Sequence, residues 1–153
     1  MLKSTPATCA LLALGLLLAA CGVTTTAATT SPPATGSLPG VVADCTSAPP
    51  YQLSIRPAAI VLACGDGGLG VENITWTTWT TAPATGQGTF WEKLCKPNCA
   101  DGTIGTYPVA VKLSAAQTSA RGRWFSRLSV TWQATPPPNP TPRTYQLLPP
   151  GSR

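Results

Sequence analysis

Two stretches of strict alternation constrain the fold of this chain more than any other feature. Tyr107, Val109, Val111 and Leu113 alternate with Thr106, Pro108, Ala110 and Lys112, and further on Trp124, Leu128, Val130 and Trp132 share one parity while Arg127, Ser129, Thr131 and Gln133 share the other. A period of two sends the two sets to opposite faces of an extended chain, so each run predicts a strand with one buried face. Ala58 to Cys64 is a short continuous apolar run, Val71 to Thr81 is rich in Thr and Trp, and the glycine-rich Gly65 to Gly70 lies between them. That order predicts two strands joined by a turn. Pro108 has no N–H to give a ladder and predicts an edge position or a strand start. No window sustains a helical period. The expectation is an all-β fold, a small antiparallel β-sandwich or open barrel.

Composition says how much of the chain takes part. Of 153 residues, 17 are Pro, 14 are Gly, 10% are charged and none is His. The missing imidazole excludes a His-based catalytic triad and any metal site that needs a His ligand. Residues 134–153 hold 7 of the prolines, including Pro136-Pro137-Pro138-Asn139-Pro140-Thr141-Pro142, and a run of that kind favours extended polyproline over a sheet. Thr144 to Leu148 is the one part of it that suits a short returning edge strand. Residues 21–44 carry no charge before Asp44 and consist mainly of Thr, Ala, Pro, Ser and Gly, too little apolar surface to fold alone. The foldable body is thus expected at 45–133, with a disordered tether before it and a Pro-rich tail after it.

Residues 1–20 read as an export signal. Lys3 is the only charge before the apolar run Cys9 to Ala20, which is too short to span a bilayer before Thr24-Thr25-Thr26. The run ends in Leu18-Ala19-Ala20-Cys21, which resembles the lipobox of bacterial lipoproteins. The resemblance implies cleavage before Cys21, a diacylglycerol thioether on its sulfur and acylation of the new amine. Two or more chains, at about 0.8 kcal/mol per buried methylene, give stable membrane anchoring where one short chain does not. The alternative is ordinary cleavage that leaves Cys21 as a thiol or disulfide partner. The 22 residues from Gly22 to Ala43 reach at most ~75 Å, enough to lift a body off the bilayer.

Cysteine parity points the same way. With Cys9 removed and Cys21 lipidated, Cys45, Cys64, Cys95 and Cys99 remain, an even number in an exported chain whose body is small for a self-sufficient core. Three pairings are possible, and locality favours Cys45 with Cys64 and Cys95 with Cys99, the second closing over Lys96-Pro97-Asn98. A four-thiolate zinc site is the competing reading, and it lacks paired CxxC spacing. Ile60 to Gly67, Trp76 with Trp79, Ala84 to Gly88, Cys95 to Gly102 and Tyr107 to Ser114 together resemble a recurrent type of small secreted actinobacterial protein. That resemblance implies export and disulfides and carries no activity.

Several motifs have plainer readings. Gly65-Asp66-Gly67-Gly68-Leu69-Gly70 matches GxGxxG, but the segment after it is β-branched and aromatic where a dinucleotide site needs a helix N-terminus. No cofactor and no metal are expected. Asp66, Glu72, Glu92 and Asp101 are the body's carboxylates, and Asp66-Gly67 and Asp101-Gly102 carry turn signatures rather than catalytic ones. Asn73-Ile74-Thr75 is a glycosylation sequon that most bacteria do not read. The chain is therefore expected not to be an enzyme.

Binding is the remaining class. In a regular strand Trp79 faces away from Ile74 and Trp76, and Phe90 and Trp91 fall in a loop, so these three are the expected exposed aromatics. Arg121, Arg123 and Arg127 share the parity opposite to the buried face of their strand and Lys112 does the same on its own, which predicts one outward basic face. The body has seven Lys and Arg against four Asp and Glu. The expectation is a membrane-anchored cell-envelope lipoprotein on the outer face of the bacterial membrane, a non-catalytic binding or structural module. Its partners would be the membrane through Cys21, and envelope polysaccharide, anionic lipid or another envelope protein, with no nucleic acid. The alternative is a carbohydrate-active protein, a sugar-binding domain or a carboxylate-dependent glycoside hydrolase.

Overall fold

The alternating runs form the two longest neighbours of a single curled sheet. The computed structural model describes residues 37–137 and 143–152. Its strands are β1 (Val41–Val42), β2 (Leu53–Ser54), β3 (Ile60–Val61), β4 (Leu69–Trp79), β5 (Ala84–Lys93), β6 (Ile104–Ser119), β7 (Gly122–Trp132) and β8 (Thr144–Gln146). Strands β3 to β8 pair in sequence order, all antiparallel, and β1 pairs with β2 in a separate small sheet. The fold is all-β, a half-barrel with a two-stranded sheet beside it, and the expected open barrel is the form it takes.

Curvature follows from one distance. Strands β5 and β8 are three pairing steps apart, about 14 Å across a flat sheet. Yet the ring of Tyr145 on β8 stacks 6.2 Å from Phe90 on β5, and Trp132 on β7 meets the same phenyl ring edge-on at 5.0 Å. The sheet has closed far enough for its two halves to share one aromatic core. Val71, Phe90, Val109, Leu113, Phe125 and Leu128 are fully buried in it. Pro108 lies inside β6, opposite Thr89 of β5. On its other side β7 has already ended at Trp132, and only Gln133 N reaches the Pro108 carbonyl, at 3.0 Å. The missing N–H therefore costs no ladder bond, which is an edge position within a central strand.

Strand β4 is not regular, and its irregularity decides where its tryptophans point. The register with β5 shifts between Glu72 and Thr75 and again between Trp76 and Thr78, each time with one more residue on β4 than on its partner. Asn73 sits in the first bulge at φ 52°, a left-handed conformation that asparagine tolerates better than most residues. Each bulge reverses parity once. Ile74 and Trp76 consequently face inward after the first, and Trp79 faces inward again after the second, opposite the fully buried Ala84. The indoles of Trp76 and Trp79 meet edge-to-face at 4.7 Å.

The β6–β7 hairpin carries a second interruption. Its register is continuous except at Ala115 and Ser126, where Ala115 takes φ 55° and its carbonyl accepts the Ser126 hydroxyl at 2.8 Å. Leu113 pairs with Leu128 before this point and Ala116 with Phe125 after it, and all four pack toward the core. Since paired residues share a face, one residue on each strand has been stepped over and both parities change together. Trp124 is buried at the point where Gly40 bridges to it, not as a simple continuation of Leu128 and Val130.

The body is larger than 45–133. Gly40 N donates to Arg123 O and Phe125 N to Gly40 O, both at 2.9 Å, and Trp79 Nε1 donates to Pro39 O at 3.0 Å. Pro39, Val41 and Val42 are buried, so the last residues assigned to the tether belong to the core. At the other end β8 pairs with β7, and Leu147 and Pro150 are buried, so the tail returns to the fold as Thr144 to Leu148 suggested. Cys9, Cys21 and the Leu18-Ala19-Ala20-Cys21 run lie outside the described residues, as do 22–36. Two disulfides close Cys45 with Cys64 and Cys95 with Cys99. Such bonds are consistent with an extracellular or periplasmic protein.

Candidate functional site

The aromatic candidates do not form a surface platform. Trp79 is 6% exposed, with Trp76 on one edge and Phe125 at 5.8 Å on another. Phe90 is fully buried and lies within β5, not in a loop. Both corrections have one cause, the backbone irregularities and glycines that conceal these strands in the sequence. Gly86 on β5 is needed because the Trp76 ring lies across it, and a side chain there would also strike the Thr75 carbonyl. Trp91 occupies the opposite face of β5 from Phe90. Its ring covers Gly70, its Nε1 donates to Gly67 O at 3.0 Å, and it is half-buried.

The cationic candidates divide. Lys112 and Arg127 are exposed on adjacent strands, Lys112 opposite Ser129 and Arg127 opposite Ser114, which makes them diagonal neighbours on the outer face. Arg121 is exposed in the β6–β7 turn. Arg123 lies beyond the Ala115–Ser126 break, on the parity of Phe125, and is half-buried. Its guanidinium donates to Ser37 O at 3.3 Å and Thr81 O at 3.4 Å. The expectation of four cations on one face is thus corrected: parity reverses between Arg127 and Arg123, and the latter ties two chain segments together.

One of the body's carboxylates is buried. Glu92 is 8% exposed and is the buried charged side chain of the described residues. It lies two residues past Phe90, hence on the inner face, opposite Leu69 on β4 and Gly105 on β6. Its carboxylate has no hydrogen-bond or ion-pair partner among the described residues. Burial raises the Glu92 carboxyl from its ordinary value, because the charged form loses water there. The alternation with Phe90 was the signal that would have found it.

Glu92 opens onto a cleft of about 240 Å³ at the end of the half-barrel, with Asp66, Leu69, Lys93 and Cys95 around it. Asp66 serves its turn, accepting Gly68 N at 2.9 Å, and Asp101 accepts Asn98 Nδ2 at 2.8 Å in the loop closed by the second disulfide. Both match the turn reading of their sequence. Among the described residues Trp132 Nε1 is a buried polar atom without a hydrogen-bond partner. Among the described residues no group of three or more Cys, Asp or Glu is placed to hold a metal ion, and no helix is long and apolar enough to cross a membrane. Compared with known proteins, the chain matches no family model, no curated protein and no solved structure.

Proposed function

We propose that this chain is an exported cell-envelope lipoprotein, held on the outer face of the membrane by lipid on Cys21, whose β body is a non-catalytic binding module. The observation that carries the reading is the pair of closed disulfides in a small half-barrel, which belongs to an oxidising compartment. The Leu18-Ala19-Ala20-Cys21 run supports the anchor. Since the body begins near Pro39, only the 17 residues from Gly22 to Leu38 separate it from Cys21, a reach of at most ~60 Å.

With Trp79 and Phe90 in the core, the sugar-binding reading keeps Trp91 alone. The exposed pair Lys112 and Arg127 is the better docking surface, and anionic lipid headgroups beside the anchor are the partner its charge fits. Each cation contributes up to about 1 kcal/mol at such a surface. Binding of the purified protein to vesicles of mixed zwitterionic and anionic lipid tests this. Lys112→Glu with Arg127→Glu should weaken it about tenfold or more at low salt. Unchanged binding by the double variant would overturn the surface.

A further inference from the structure

We propose that Cys95–Cys99 is a thiol–disulfide exchange site, which a pair of thiols on an exported partner opens in the cleft shared with Glu92. The proposal stands apart from the anchoring and headgroup readings and needs only an oxidising compartment. Its basis is the contrast between the two bridges. Cys45 is 5% exposed and Cys64 is half-buried, in a crevice they share with Val42, Val61 and Leu147. Cys95 and Cys99 are both exposed, in the loop that follows β5. Exchange requires an attacking thiolate to reach a sulfur, so access separates an inert bridge from a labile one.

The surroundings of Cys95 add chemistry to access. Lys93 lies on the same cleft and Lys96 follows Cys95 directly, and nearby cations favour the thiolate form of a released cysteine. Glu92 supplies the other half. It is buried, it opens onto this cleft, and its carboxyl has no partner among the described residues. The remaining charged groups there, Asp66 from the β3–β4 turn and Asp101 within the loop, are engaged with Gly68 and Asn98.

A partner thiolate attacks Cys99 Sγ, a new sulfur–sulfur bond forms there, and the Cys95–Cys99 bond breaks with its electron pair leaving on Cys95 Sγ. When the Glu92 carboxyl carries its proton, it gives that proton to the sulfur and becomes a carboxylate. A second partner thiolate then attacks the partner's own sulfur in the mixed disulfide and releases Cys99 as a thiolate, which takes a proton from water. Two partner thiols are oxidised to a disulfide, and Cys95 and Cys99 are reduced to a dithiol. Glu92 regains its proton from solvent.

The full-length protein, exposed to dithiothreitol and quenched with iodoacetamide, is mapped by mass spectrometry while near-ultraviolet circular dichroism follows the fold. Cys95 and Cys99 should be alkylated about tenfold faster than Cys45 and Cys64, with the dichroism unchanged. At a constant concentration of dithiothreitol thiolate, the wild-type rate should fall as pH rises through the Glu92 titration, and Glu92→Gln should remove that fall. Lys96→Gln, at an exposed loop position, should slow opening about twofold or more and keeps the test valid if Glu92→Gln does not fold. Opening of both bridges together with loss of the dichroism would overturn the proposal. So would a Lys96→Gln rate equal to wild type, or a Glu92→Gln profile that superimposes on it.

Discussion

Replacing Trp79 by alanine separates a core residue from a binding platform. The indole is 6% exposed, makes edge contacts with Trp76 and Phe125, and donates its N–H to Pro39 O at 3.0 Å. Truncating a buried aromatic of this kind costs about 3–5 kcal/mol, including the cavity left behind. Against a total stability of about 5–15 kcal/mol for a domain, that is a large share. With a urea slope of about 2 kcal/mol per molar, the unfolding midpoint of Trp79→Ala should fall by about 2 M at unchanged slope. Trp79→Phe keeps one aromatic ring but loses the pyrrole part of the indole with its N–H bond to Pro39 O, so a cost above the roughly 1–3 kcal/mol of an unpaired carbonyl and below that of Trp79→Ala is expected. Trp91→Ala, half-buried on the other face, should fall between surface and core values. A Trp79→Ala stability within about 0.5 kcal/mol of wild type is what a surface position gives. That result would refute the two-bulge account of β4 and return Trp79 to solvent.

Two further outcomes follow from the same structure. Burial raises the Glu92 carboxyl, so the folded state holds its proton more tightly than the unfolded chain does. The stability from this group is complete below the ordinary carboxylate range and is lost as pH rises through the raised folded value. Glu92→Gln should therefore melt above wild type at neutral pH, with the difference closing in acid; a constant difference across pH would contradict the assignment. Asp44 acts in the opposite sense, because hydrogen bonds from Thr46 N and Oγ1 lower it, and the Glu92 variant leaves that dependence in place. The bridges should also differ in weight. Cys45 and Cys64 are 19 residues apart and Cys95 and Cys99 only 4, so removing the first pair as serines should cost about 3 kcal/mol and the second about 2 on loop entropy. Equal urea midpoints for the two double variants would count against that ordering.

The parts of the fold legible in the sequence are those carried by side-chain pattern. The Tyr107 to Leu113 and Leu128 to Trp132 alternations, the glycine turn before β4 and the locality of the cysteine pairs all correspond to observed elements. What escaped was carried by backbone. A bulge adds a residue without changing composition, so counting residues through two shifts that only Asn73 faintly marks puts Trp79 on the wrong face. Ala115 in a left-handed conformation has no sequence signal at all, and it is what parts Arg123 from Arg127. Val41 and Val42 look like tether because two apolar residues after Pro39 and Gly40 form no pattern, and their pairing with Leu53 and Ser54 is tertiary. Phe90 was lost among Gly86 and Gly88, glycines that serve close packing against β4 rather than a loop. Glu92 was lost with it.

Export, and anchoring through Cys21 of a body closed by two disulfides, is what we propose for this chain. The intact mass of the protein purified from native membranes tests it most directly. A species beginning at Cys21, heavier than residues 21–153 by a diacylglycerol with or without an amide-linked acyl chain, and gaining four alkyl groups only after reduction, is the expected result. A full-length 15.7 kDa chain with an unmodified Cys21 and Cys45, Cys64, Cys95 and Cys99 alkylated without reduction would contradict it.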